Sequence, residues 1–162
     1  MSILPAEAKA AALPHRYWED VELGEKTRSA ERVVDGQAMV EFASKYDPQY
    51  FHTDTEAAKD TLFGGLIGSG IYTAALWRMM DHEVNGEIAW VCGVAWDNVK
   101  WRRPVRAGDR ICATSECVMK RPSGKRKDVG LVTLHHEVVR ADGEVLLAFD
   151  STNLVYRRHP AE

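Results

Sequence analysis

The stretch FGGLIGSGIYTAALWRMM, residues 63 to 80, decides how the rest of the chain folds. Four glycines and a serine crowd its first eight residues, and then Ile71, Tyr72, Ala74, Ala75, Leu76, Trp77, Met79 and Met80 leave almost no polar face. The pattern predicts a helix over 69–84 that is apolar nearly all round, with only Arg78, Asp81 and the residues after it asking for water. Such a helix must be wrapped by other structure rather than laid on a surface.

The residues that follow supply the wrapping. From Ile88 onward the hydrophobic period turns extended, with β-branched and aromatic residues clustered between turn signals. Strands are predicted over Ile88–Val94, continuing toward Lys100 and Arg103 after a break, and over Arg110–Lys120, Asp128–Arg140 and Glu144–Arg157. PVRAGD (104–109), RPSGKRK (121–127) and ADGE (141–144) are the turns between them. Asp142-Gly143 suits a tight hairpin with positive φ at both central positions. Upstream, Thr27–Val34 reads as a short strand, and Asp35 as the N-cap of a helix over Gly36–Lys45 whose Met39, Val40, Phe42 and Ala43 form an apolar face. One apolar helix and a run of antiparallel strands argue an α+β layer in which a curved sheet encloses the helix.

Length and charge narrow the classes. A chain of 162 residues holds about one domain, here expected over 16–162 after a loose Ala- and Pro-rich arm at 1–15. The 21 Lys and Arg against 24 Asp and Glu lack the basic excess of a nucleic-acid binder. No apolar run reaches bilayer length, and Glu7 and Lys9 interrupt any signal-peptide core, so a cytoplasmic protein with no membrane partner is expected. Cys92, Cys112 and Cys117 are odd in number and widely spaced, which suggests small apolar fillers rather than a disulfide or zinc framework. His135 and His136, adjacent on one strand, face opposite ways and do not share a metal. Trp90, Trp96 and Trp101 suit a core or a subunit interface.

Two short runs carry the chemistry. In DPQYFHTD, residues 47 to 54, Pro48 stops the preceding helix, so Asp47 lies just past a helix end and His52 in the loop beyond. A carboxylate and an imidazole that converge on one water make an acid–base couple; equally, Asp47 can cap the turn and His52 be a satisfied, partly buried side chain. Gly64, Gly65, Gly68 and Gly70 precede the long helix, where bare backbone N–H groups suit an anionic oxygen, or where the glycines simply let the chain turn and Ser69 is the N-cap. Neither a P-loop nor a GxSxG elbow fits, since no Gly-Lys-Ser/Thr follows and Ile67 and Ile71 flank Ser69 where glycines would be needed. Arg102, Arg103 and Arg106 either meet phosphates or form a solvated edge.

The order D-P-Q-Y-F-H-x-D, then FGGLIGSGIYTAAL, then WRRPVRAGD, with RYWEDVELGEK at the start, resembles the MaoC-like dehydratases, the family that includes (R)-specific enoyl-CoA hydratases. The resemblance runs from about Arg16 onward and implies a hot-dog fold: a five-stranded antiparallel sheet around a long central helix, in subunits paired as a homodimer or higher homo-oligomer. It implies catalysis by Asp47, His52 and the Gly70 amide, and no metal or cofactor beyond the thioester substrate; Gln49, Ser69, Phe63, Arg102 and Arg103 are the candidate substrate contacts around them. The implied activity is addition or removal of water at a 2-enoyl or 3-hydroxyacyl thioester of CoA or a carrier protein. A thioesterase on the same fold and a non-catalytic acyl-thioester binding module are the alternatives. Gln49 and Ser69 depart from the family's common Asn and His, which puts substrate preference in question.

Overall fold

The computed structural model describes residues 13–160. The expected N-terminal arm therefore lies mostly outside the described residues; its last residue, His15, has its N–H bonded to Glu87 O at 3.0 Å. The elements are a 3-10 turn Trp18–Asp20, β1 Lys26–Arg28, β2 Arg32–Val33, α1 Gly36–Tyr46, α2 Tyr50–Thr53, α3 Thr55–Lys59, α4 Gly70–Asn85, β3 Trp90–Trp101, β4 Arg110–Pro122, β5 Val129–Arg140 and β6 Val145–Tyr156.

The strands form one antiparallel sheet in the order β1-β4-β5-β6-β3, with β2 also paired to β4. The predicted strand over 27–34 is two short pieces on one edge, so six strands occupy five positions. Ser29 marks the break: it is buried, and its hydroxyl accepts from Ala113 N–H at 2.9 Å.

Helix α4 lies in the curve of this sheet. Tyr72, Leu76, Trp77 and Met80 join Ile111, Ala113, Val138, Leu147 and Phe149 in the main core, and Met39 and Phe42 of α1 close it from the other side. Burial of this apolar surface is the chief driving force, at roughly 25 cal/mol per Å². This is the hot-dog architecture. The wrapping is less complete than the helix's composition suggests: Ile71 is 58 % exposed, and Ala74, Ala75 and Met79 are only partly covered. Asp81, expected to reach water, is instead buried beneath the sheet, where it accepts from Asn85 Nδ2 at 2.7 Å and from Arg78 Nη1 at 3.0 Å.

Three other expectations change. Strand β3 is continuous, and the sequence irregularity read as a break is absorbed by register shifts against β6, with Asn98 at φ 56° and its amide on Asp150. The β5–β6 turn holds three residues, not two: Arg140 N–H bonds Glu144 O at 2.9 Å, and only Gly143, at φ 90°, is left-handed. Cys112 and Cys117 are buried as fillers, whereas Cys92 is exposed on β3. The two histidines do face opposite ways, with His136 buried against Ser151 and His135 paired with Asp150.

Candidate active site

The site is assembled where α1 ends, α2 turns and α4 begins. Asp35 caps α1 as predicted, accepting from Gln37 and Ala38 N–H. At the other end Asp47 is the C-cap, its N–H on Ala43 O at 2.8 Å, and Pro48 prevents the helix from continuing. His52 is not in a loop, because Asp54 N–H returns to Tyr50 O and closes a one-turn helix over 50–53. That turn carries the imidazole inward, leaving it 4 % exposed.

Asp47 and His52 do meet: Nε2 of His52 is 3.5 Å from Oδ2 of Asp47. The other ring nitrogen, Nδ1, is 2.9 Å from the carbonyl oxygen of Ile67. A carbonyl only accepts, so Nδ1 carries the hydrogen and, in the neutral ring, Nε2 presents its lone pair. Asp47 is held separately, with Ser69 Oγ donating to Oδ2 at 2.6 Å and Gln49 Nε2 donating to Oδ1 at 3.0 Å. The Ser69 hydrogen bond, then that of Gln49, holds the Asp47 carboxyl below its ordinary range, with the nearby His52 acting in the same sense and partial burial opposing.

Ser69 is wholly buried and caps α4 as well, its Oγ accepting from Ile71 N–H at 3.2 Å. Its hydroxyl thus ties the carboxylate to the start of the long helix and faces no open surface. Gly70 is the first residue of that helix, so its N–H has no partner in the helical ladder. A side chain at this position would be blocked by Trp101, whose Nε1 lies 2.8 Å from where a Cβ would stand and donates to Gly70 O at 3.0 Å. Trp101 and the Ile67 carbonyl are the participants the sequence did not assign to the site. Trp101 opens the run WRRPVRAGD but reads there only as a tryptophan for the core or a subunit interface, and a backbone acceptor leaves no residue signature.

The remaining candidates are placed around this centre. Phe63, 40 % exposed, packs on Phe51 with ring centroids 5.7 Å apart, and Phe51 packs on the His52 ring at 4.5 Å. Arg102 is exposed, whereas Arg103 is bound to Glu144 at 2.7 Å. Arg106 turns its guanidinium onto the carbonyls of Phe63 and Leu66. Among the described residues no group of three His, Cys, Asp or Glu side chains is arranged to hold a metal ion.

The MaoC-like domain model matches residues 20–139. The chain belongs to that family. A MaoC-like dehydratase from Rhodospirillum rubrum has a solved structure 32% identical to it, with a TM-score of 0.84 over 90% of this chain and 99% of that one. Among curated proteins, the uncharacterised YdeM of Bacillus subtilis is 32% identical over 67% of this chain and 75% of its own length. A mesaconyl-CoA hydratase of Haloarcula marismortui is 38% identical over 72% of this chain, but the alignment spans only 32% of that longer protein. Among the described residues no helix is long and apolar enough to cross a membrane.

Proposed function

We propose that this MaoC-like protein adds water to, or removes it from, the double bond of a 2-enoyl thioester. The observation that carries the reading is the pair of acceptors, His52 Nε2 and Asp47 Oδ2, 3.5 Å apart. Two acceptors facing a common point each take one O–H of a single water and orient its oxygen for attack. As the oxygen bonds to the β-carbon, one water proton passes to His52 Nε2. The π electrons move through the α-carbon onto the thioester oxygen, where the Gly70 N–H meets the charge. The enolate then collapses, and its α-carbon takes the proton back from the imidazolium. Asp47, kept ionised by Ser69 and Gln49, steers the water and steadies the imidazolium rather than carrying the proton. Dehydration runs the same steps backward.

The substrate in this reading is a CoA thioester, which the similarity to a protein named mesaconyl-CoA hydratase supports. The Phe63–Phe51 pair offers an apolar wall beside His52, and exposed Arg102 a cation for a phosphate. The working unit is a pair of subunits. Strand β3 is a twelve-residue edge whose Val91, Val94, Trp96 and Trp101 are exposed, and such an edge seeks a partner strand.

Incubation with crotonyl-CoA and longer 2-enoyl-CoAs tests the reading, with loss of conjugated-enoyl absorbance and release of free thiol followed together. Absorbance loss without thiol is the expected result. Thiol release without hydration would make the protein a thioesterase, and silence in both channels a binding module.

A further inference from the structure

We propose that Arg106 is a positioning residue for His52, acting through the glycine loop that lies between them; only the kinetic part of its test rests on the hydratase reading. Its sequence context, in PVRAGD beside two other arginines, suggested a phosphate ligand or a solvated edge. The structure gives it a different task.

Gly64 at φ 64° and Gly65 at φ 154° turn the chain through conformations that side chains rarely adopt. Across this turn the carbonyls of Phe63 and Leu66 reach the same guanidinium, with Arg106 Nη2 donating to Phe63 O at 2.5 Å and Nη1 to Leu66 O at 3.3 Å. A planar fork that holds two carbonyls fixes their mutual direction as well as their distance. Arg106 is itself anchored, its N–H on Asp109 Oδ2 at 2.8 Å and its neighbour Val105 fully buried.

The next residue along the loop is Ile67, whose carbonyl receives the His52 Nδ1 hydrogen at 2.9 Å and whose N–H returns to Phe51 O at 3.2 Å. Gly68 N–H then bonds Val105 O at 2.8 Å. Segment 63–68 is therefore clamped between the β3–β4 connection, through Val105 and Arg106, and α2, through Phe51 and His52. With the fork removed, Leu66 is released on one side of the carbonyl that decides which imidazole nitrogen bears the hydrogen. If that acceptor drifts, the ring is free to turn and to populate the other tautomer, in which Nε2 has no lone pair for water.

The test compares Arg106→Met and Arg106→Lys with the parent protein. Nitrogen-15 NMR of the histidine rings at neutral pH reports the tautomer of His52 directly. A single Nδ1–H form in the parent and a mixture in Arg106→Met is the expected result, with Arg106→Lys in between because an ammonium lacks the planar fork. An unchanged ring in folded Arg106→Met would overturn the proposal; where the melting profile shows Arg106→Met unfolded, an unaltered ring in folded Arg106→Lys would overturn it instead. Kinetics are measured on an enoyl-CoA and on the matching N-acetylcysteamine thioester, which has no phosphate. Positioning predicts a kcat lowered roughly ten- to a hundredfold on both substrates, with little change in KM. A rise in KM confined to the CoA substrate would instead make Arg106 a phosphate ligand and overturn the proposal. Should the parent show no hydration at all, the hydratase reading fails while the NMR comparison still decides the role of Arg106.

Discussion

The hydroxyl of Ser69 donates to Asp47 Oδ2 at 2.6 Å and accepts from the Ile71 amide at 3.2 Å, so one buried oxygen joins the site carboxylate to the first turn of α4. Ser69→Ala removes both bonds. The lost cap costs about 1 kcal/mol of stability, read from denaturant midpoints. The Asp47 carboxyl, now depressed, rises toward its ordinary value of 3.8, which a carbon-13 NMR titration of that side chain reads directly. The sign for stability is the same: a depressed carboxyl contributes stability above its unfolded pKa and loses it as pH falls through the folded one, so the variant loses less on acidification.

Asp47→Asn and His52→Gln keep the shapes of the two side chains while removing the carboxylate and the basic nitrogen. Each is expected to lower hydration about 100- to 10,000-fold with an unchanged circular dichroism spectrum. Activity retained in His52→Gln would sink the assignment of the base, and activity retained in Asp47→Asn that of the carboxylate that steers the water.

Gly70→Ala places a methyl where Trp101 Nε1 stands only 2.8 Å away. Overpacking of this kind costs about 1 to 3 kcal/mol, and displacement of the Gly70 peptide lowers kcat as well. Trp101→Ala opens the space but loses the bond to Gly70 O. The double variant should therefore be more stable than the two single losses summed, and additivity within about 0.5 kcal/mol would show that the two positions are uncoupled.

His136 is buried between β5 and α4, and burial above all, assisted by the charges of Arg78 and His135, pushes its pKa down to about 3. Between its ordinary value of 6.5 and about 3 the unfolded chain binds a proton that the folded chain refuses, so stability falls as pH falls through this window. Asp81, 3.8 Å from His136 Nδ1 and raised by burial, works in the opposite sense over the part of the window above the ordinary carboxyl value. Denaturant titrations across the window should show a flatter dependence in His136→Gln. An equal slope would place the acid sensitivity elsewhere.

Val94→Lys puts a charge on the exposed face of β3, at a side chain 53 % exposed in the single subunit. Light scattering should find the parent paired and the variant shifted toward single chains. Pairing unaffected by the lysine would move the subunit interface off this strand.

The fold was legible because α4 announces itself twice, by an apolar surface no lone helix can keep in water and by the strands that follow it. Pro48 placed Asp47 just past a helix end, but the two residues alone fitted a capped turn and a buried histidine equally well, and only the resemblance of the longer pattern paired them; the structure sets Nε2 of His52 3.5 Å from Oδ2 of Asp47. What the sequence concealed has a common cause. Asp81 reads as a charge near a helix end and is buried because Asn85 and Arg78 supply donors at its depth. His52 is aimed by the Ile67 carbonyl, which every residue possesses and none advertises. Arg103 and Arg106 read alike in sequence, and only tertiary neighbours send one to Glu144 and the other to the glycine loop.

Trp101 is the last residue of the sheet's free edge, and its indole covers the first residue of the central helix. Positions 70 and 101, thirty-one residues apart in the chain, are therefore a single unit of inheritance: a larger residue at one is tolerable only with a smaller one at the other. A change selected for how the edge strand meets its neighbour would be felt at the amide proposed to meet the thioester.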